Sequence, residues 1–227
     1  MSDTRLLVLD IEGTTTSIAF VYETLFPFAR RELASFVKGH WDAPAVREAA
    51  ALMGADSDAE ACIGRALALM DGDVKDTGLK ALQGLIWEAG YRASEMKGHV
   101  YPDVPLALAL AHERGLLVAI YSSGSVAAQK LLFGHSEAGD LTPYLSGYFD
   151  TTTGPKKEAA SYLVIAAHFG FSPDHCVFVT DNPDEAVAAG EAGMQVYVAE
   201  RPGNPPLPEG HGFHTVHTLT AIPFLNP

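Results

Sequence analysis

Four short apolar runs restrict this chain more than any other feature: RLLVLD at 5–10, LLVAIY at 116–121, CVFVT at 176–180 and QVYVA at 195–199. Each is rich in Val, Ile or Leu and nearly continuous rather than alternating. Strands covered on both faces read this way, and a parallel sheet flanked by helices is the arrangement that covers them. Helical stretches alternate with the later runs, at 103–114, 125–133, 156–169 and 184–192. The alternation predicts an α/β fold with a doubly wound, mostly parallel, Rossmann-like sheet.

One interval breaks the rhythm. About one hundred residues separate the first run from the second, where a strand-to-helix connection needs only a few. The segment VYETLFPFARRELASFVKGHW repeats apolar residues at three- and four-residue steps, as an amphipathic helix does. Further helical stretches follow near 42–53, 58–70 and 77–95, with turn signals at Gly54 to Asp58 and Asp71 to Asp76. We therefore expect a helical cap over residues 17–98, inserted above the sheet ends, and an α/β core built from 1–16 and 99–227.

Composition removes several classes of function. Lys+Arg 15 against Asp+Glu 28 leaves a net charge of −13, which repels nucleic acid and anionic membrane. A small phosphorylated substrate stays compatible if cations gather in one pocket. Cys62 and Cys176 stand alone, so neither a disulfide framework nor a zinc site is expected. The first residues lack the long apolar segment of a signal peptide, and no run approaches the ~18 apolar residues of a membrane span. A cytoplasmic protein is the expectation. No Gly-rich nucleotide fingerprint follows a strand.

Ligands of an open parallel sheet bind beyond the carboxyl ends of its strands. Asp10, Glu12, Gly13 and Thr14 follow the first run, and Ser122, Ser123 and Gly124 follow the second. Asp181, Asp184 and Glu185 follow the third, while Lys156 and Lys157 stand at the expected start of the 156–169 helix. Taken singly, each has a plain reading as a turn, a helix cap or a solvated surface group. Gathered on one sheet edge they suit phosphoryl transfer through an aspartate. Asp10 and Asp181 could hold Mg²⁺, and Asp10 could attack phosphorus. Glu12, two residues on in an extended chain, would share Asp10's side and exchange protons. Ser122, nearby amides and a lysine would steady the phosphate oxygens.

In order, DIEGT, YSSGS, the lysine of GPKKE and TDNPDEA resemble the four motifs of haloacid dehalogenase superfamily phosphatases. Glu12 replaces the usual Asp of the first motif, and Thr180-Asp181 replaces the frequent Gly-Asp of the last. The longer stretches DIEGTTTSIAFVYETLFPFA, YSSGSVAAQKLLFGHSEAGDL, YFDTTTG, SYLVIA and ERPGN are similar to the enolase-phosphatase family of methionine salvage. That resemblance implies a haloacid dehalogenase-type core, an Mg²⁺ cofactor and a monomer. It also implies a small phosphorylated diketone substrate, 2,3-diketo-5-methylthiopentyl-1-phosphate, which is enolised and then dephosphorylated to an acireductone. By position it puts Asp10, Glu12 and Asp181 at metal and catalytic places, and Ser122, Ser123 and Lys156 at substrate-binding places. Which of Lys156 and Lys157 faces the pocket stays open, and Glu185 is a candidate for orienting the metal site. The alternatives are another Mg²⁺-dependent phosphatase or phosphomutase of the superfamily, and a silent binding protein, whose mark would be loss of Asp10 or Asp181.

Two further groups are expected to be structural. His211, His214 and His217 are spaced by three in a segment with Gly and Pro upstream, expected to lie beyond the last strand, and read as surface histidines. His99 and Tyr101 read as hinge and packing residues.

Overall fold

A computed structural model describes residues 4–210 and 212–225. Its strands are β1 (Leu6–Leu9), β2 (Leu117–Tyr121), β3 (Gly147–Phe149), β4 (Cys176–Thr180), β5 (Gln195–Ala199) and β6 (His214–Val216). All neighbours pair in parallel in the order β3-β2-β1-β4-β5-β6. From β1 the chain steps outward through β2 and β3, then returns to lay β4 on β1's other side. At that reversal the connections leave in opposite directions, which makes the carboxyl ends of β1 and β4 the place where an open parallel sheet binds its ligand.

The continuity of the apolar runs follows from this sheet. Successive strand residues point to opposite faces, and here both faces are covered. Leu7, Leu9, Val118, Ile120, Val177 and Val179 pack with Val104, Ala107 and Leu108 of helix α6. Leu6, Val8, Ala119, Tyr121 and Phe178 pack on the other side with Tyr162 and Ile165 of α8 and Ala186 and Ala189 of α9. The helices in chain order are α1 (Ile18–Phe20), α2 (Phe26–Gly39), α3 (Pro44–Leu52), α4 (Ala59–Asp71), α5 (Thr77–Arg92), α6 (Val104–Glu113), α7 (Val126–Gly134), α8 (Ala159–His168) and α9 (Pro183–Glu191). Among the described residues no helix is long and apolar enough to cross a membrane.

Three local expectations are corrected. β3 and β6 leave no apolar run in the sequence, because each is a three-residue edge strand with a single buried residue, Phe149 or Val216. The histidine segment therefore does not lie beyond the last strand: His214 opens β6, and His211 falls outside the described residues. Lys156 and Lys157 do not begin a helix. They sit in a turn, and extended Glu158 (φ −121, ψ 128) caps α8 at Ala159.

The chain divides into two compact units, one of residues up to Phe20 plus those from Lys97 onward, the other Val21–Met96. The first holds the sheet. The second begins with a π-helical turn, Val21–Leu25, and packs α2, α3, α4 and α5 on one another. Asp58 and Asp76 cap α4 and α5 by accepting from the amides of Ala61 and Leu79, each bond satisfying a donor that the first helical turn leaves free. Trp87 Nε1 donates to Leu25 O at 2.9 Å, tying α5 to the π-helical turn.

Candidate active site

β1 delivers Asp10 and β4 delivers Asp181 to the two sides of the switch point, because Leu9 pairs with Val179 and each acid comes shortly after its pair. Asp10 is buried, and Asp181 is partly buried. Beyond Asp10 the strand conformation stops: the chain bends at Ile11 and turns through Gly13 to Thr15. The Thr15 hydroxyl ties the turn by donating to Asp10 O at 3.0 Å. Gly13 is at φ +69, which disfavours any other residue, and a Cβ there would overlap the Asp181 carboxylate. Glycine is thus required both for the turn and for room at the acid.

Lys156 is buried with its Nζ 2.7 Å from Asp10 Oδ1 and 2.7 Å from Glu185 Oε2. The turn that carries it is pinned by two helix side chains. Tyr162 donates its hydroxyl to Lys156 O at 2.6 Å, and Ser161 donates to Pro155 O at 2.7 Å. Lys157 points to solvent and pairs with exposed Asp184 at 2.7 Å. Asp10 Oδ1 also accepts from the Ile11 amide at 2.7 Å. Thr180, the last residue of β4, lies 3.2 Å from Asp10 Oδ2 and 3.0 Å from Glu185 Oε2 through its hydroxyl.

Ser122 follows β2, is buried, and its Oγ accepts from the Gly124 amide at 3.2 Å. Ser123 is exposed, and Ser125 caps α7. The loop is held by Gln129, whose Nε2 donates to Gly124 O and Phe149 O, both at 2.8 Å. The turn after β1 has its own brace. Arg201 Nε donates to Thr14 O at 3.0 Å while its two terminal nitrogens bind both oxygens of Asp103 at 2.8 and 3.0 Å. Asn204 Nδ2 donates to Gly13 O at 2.9 Å.

The negative charge here exceeds what Lys156 offsets. Burial first, then Asp10, raises Asp181 to about 7; Lys156 pulls the other way, and Glu12 adds to the rise. Burial and then Asp10 raise Glu185 to about 7 as well, against the pull of Lys156. Lys156 is raised too: burial opposes its charge, but Asp10 and Glu185 together outweigh that. A divalent cation fits such a place. Among the described residues no group of three or more His, Cys, Asp or Glu side chains forms a metal cage, whereas Mg²⁺ needs one or two carboxylates with substrate phosphate and water. Asn204 adds an acceptor. Its Nδ2 is committed to carbonyls, so its buried Oδ1 faces the Asp181 side of Gly13 and has no hydrogen-bond partner among the described residues.

The histidines lie elsewhere. His214 and His217 are exposed, with His217 Nδ1 3.7 Å from Glu200 Oε2. His99 Nδ1 accepts from the Ser17 amide at 3.2 Å and its ring packs edge-on to Tyr101.

Thr180, Gln129, Arg201, Asp103 and Asn204 were not singled out as site residues from sequence. A polar residue closing an otherwise apolar strand was the available signal for Thr180, and an arginine shortly after β5 was the signal for Arg201.

Curated relatives match the sequence, and solved structures match the fold. Enolase-phosphatase E1 of Thioalkalivibrio sulfidiphilus is 49% identical over 205 residues, covering 88% of this chain and 92% of that protein. Enolase-phosphatase E1 of Drosophila erecta is 46% identical over 219 residues, covering 89% and 86%. The crystal structure of the UTR4 protein of Saccharomyces cerevisiae superposes with a TM-score of 0.84 at 37% identity, covering 95% and 98%. A dehalogenase structure, at 21% identity and TM-score 0.58, shares the fold alone. A family model described as haloacid dehalogenase-like hydrolase matches residues 4–193. With a match of that length over a sheet whose switch point gathers Asp10, Lys156 and Asp181, the chain belongs to the haloacid dehalogenase-like hydrolases.

Proposed function

We propose that this protein is an enolase-phosphatase that converts 2,3-diketo-5-methylthiopentyl-1-phosphate to an acireductone and inorganic phosphate. The relatives named Enolase-phosphatase E1, at 46–49% identity over most of both chains, support the substrate. One observation supports the chemistry above the others: Lys156 Nζ lies 2.7 Å from Asp10 at the switch point, with Asp181 raised by burial and by Asp10.

Asp10 is the nucleophile. One carboxylate oxygen attacks phosphorus and the ester oxygen departs, leaving an aspartyl-phosphate. Glu12 protonates the departing oxygen and afterwards takes a proton from the water that hydrolyses the acyl phosphate. Lys156, Ser122 and the amides around Ser123 and Gly124 hold the phosphoryl oxygens as charge moves among them. Asp10, Asp181 and Glu12 would hold Mg²⁺, which supplies a Lewis acid for the phosphoryl oxygens and for the diketone. The unit Val21–Met96 is the cap of this reading, and the enzyme acts as a cytoplasmic monomer.

The test is phosphate release from the diketone phosphate with and without Mg²⁺, with absorbance followed for the enol. Metal-dependent release preceded by a transient enol is the expected result. Release from simple phosphate esters alone would keep the phosphatase and remove the enolase. No release from any ester would sink both.

A further inference from the structure

We propose that Thr180 is a positioning residue whose single hydroxyl proton serves Asp10 before attack and Glu185 after it. The inference rests on Asp10 being the nucleophile and goes on to say how that nucleophile is aimed.

Four buried side chains close a ring. Lys156 Nζ bridges Asp10 Oδ1 and Glu185 Oε2 at 2.7 Å each. Thr180 Oγ1 makes the second link, 3.2 Å from Asp10 Oδ2 and 3.0 Å from Glu185 Oε2. Lysine brings three donors and can satisfy both carboxylates together. A hydroxyl has one proton and can donate to only one of them at a time. Its oxygen is meanwhile fixed, because the Asn182 amide donates to it at 3.1 Å. Rotation of one O–H bond is therefore enough to change which carboxylate is served, and no heavy atom moves.

The two oxygens of Asp10 are not equivalent. Oδ1 takes two short bonds, from the Ile11 amide and from Lys156, both 2.7 Å. Oδ2 takes the longer one from Thr180. Oδ2 is the oxygen that can be released toward phosphorus at least cost, while the Thr180 hydrogen bond sets its direction. As the new O–P bond forms and the ester P–O bond breaks, the ester oxygen leaves with a proton from Glu12. Oδ2 then loses most of its strength as an acceptor. The Thr180 proton turns to Glu185 Oε2, the atom that shares Lys156, and holds the lysine where the phosphoryl oxygens need it. Thr180 exchanges a hydrogen bond and transfers no proton.

The experiment compares Thr180→Val and Thr180→Ser in the full chain with Mg²⁺ and the diketone phosphate. Thr180→Val is expected to lower kcat about ten- to a hundredfold with KM within about threefold, and Thr180→Ser to recover most of the rate. Rapid-quench measurement should show that phosphoenzyme formation is the slowed step. Thr180→Cys, close in size but a weak donor, should fall with Val, which covers the case in which Val fails to fold. Wild-type kcat in Thr180→Val, or a Ser variant as slow as Val, overturns the inference. If the wild-type protein releases no phosphate from any ester, the proposed function has failed first.

Discussion

In the unit of residues 21–96, Arg30 meets Asp71, Lys38 meets Glu60 and Arg92 meets Glu88, all at 2.8 Å or less and with side chains well exposed. In the sheet-bearing unit, Lys156 meets Asp10 and Glu185, and Arg201 meets Asp103, with the two cations almost wholly enclosed. Among the described residues every buried charge belongs to the second group, and Gln83 is the single buried polar residue of the helical unit. An exposed pair gains little, because water competes and two long side chains must be ordered. A buried pair carries a desolvation cost that often cancels its attraction. Stability therefore does not account for the concentration of enclosed charge at one sheet edge, whereas the proposed chemistry on a phosphate would.

Removing Asp10, the proposed nucleophile, should give the largest difference between the units. Asp10→Asn is expected to cut phosphate release by about 10⁴-fold or more, while Arg30→Ala leaves it unchanged, both read in the same assay. Lys156→Met comes next. It strands Asp10 and Glu185 without their cation and should cost about 3 kcal/mol in urea unfolding as well as activity. Gly13→Ala should destabilise by about 1–2 kcal/mol from its left-handed backbone alone. The added methyl also presses on Asp181, so weaker Mg²⁺ binding in calorimetry should accompany the loss.

The charge imbalance predicts a pH dependence. Asp181 has an ordinary value of 3.8 and is raised to about 7 in the folded protein. Between those values the folded state holds a proton that the unfolded state has released, so stability falls as pH rises and levels off above about 7. Thermal melting without metal should show that slope, Asp181→Asn should reduce it, and added Mg²⁺ should recover the loss on the alkaline side. The smallest effect belongs to the exposed neighbour: Lys157→Ala should leave both the melting temperature and phosphate release at the wild-type level.

Much of the fold was legible because burial leaves a local mark. β1, β2, β4 and β5 could be read since both of their faces are covered, which forces continuous apolar runs. α3, α4 and α5 could be read as helical stretches parted by the turn signals at Gly54 to Asp58 and Asp71 to Asp76, whose last residues prove to cap α4 and α5. The short edge strands β3 and β6 could not, having too few covered positions to write a pattern. Asp10 and Asp181 were candidates because a strand in such a sheet must end at its ligand-binding edge.

What the sequence determined by itself was that Asp10, Glu12, Ser122, Ser123 and Asp181 stand at that edge, since each follows an apolar run within a few residues. The tertiary structure decided which of them meet. Lys156 rather than Lys157 is turned inward because Tyr162 and Ser161 hold the carbonyls of Lys156 and Pro155. Thr180 joins Asp10, 170 residues away, and Arg201 joins Thr14 and Asp103. Periodicity reports which face of an element is covered. It carries no record of which distant side chain completes a hydrogen bond, because that partner is chosen by the packing of the sheet.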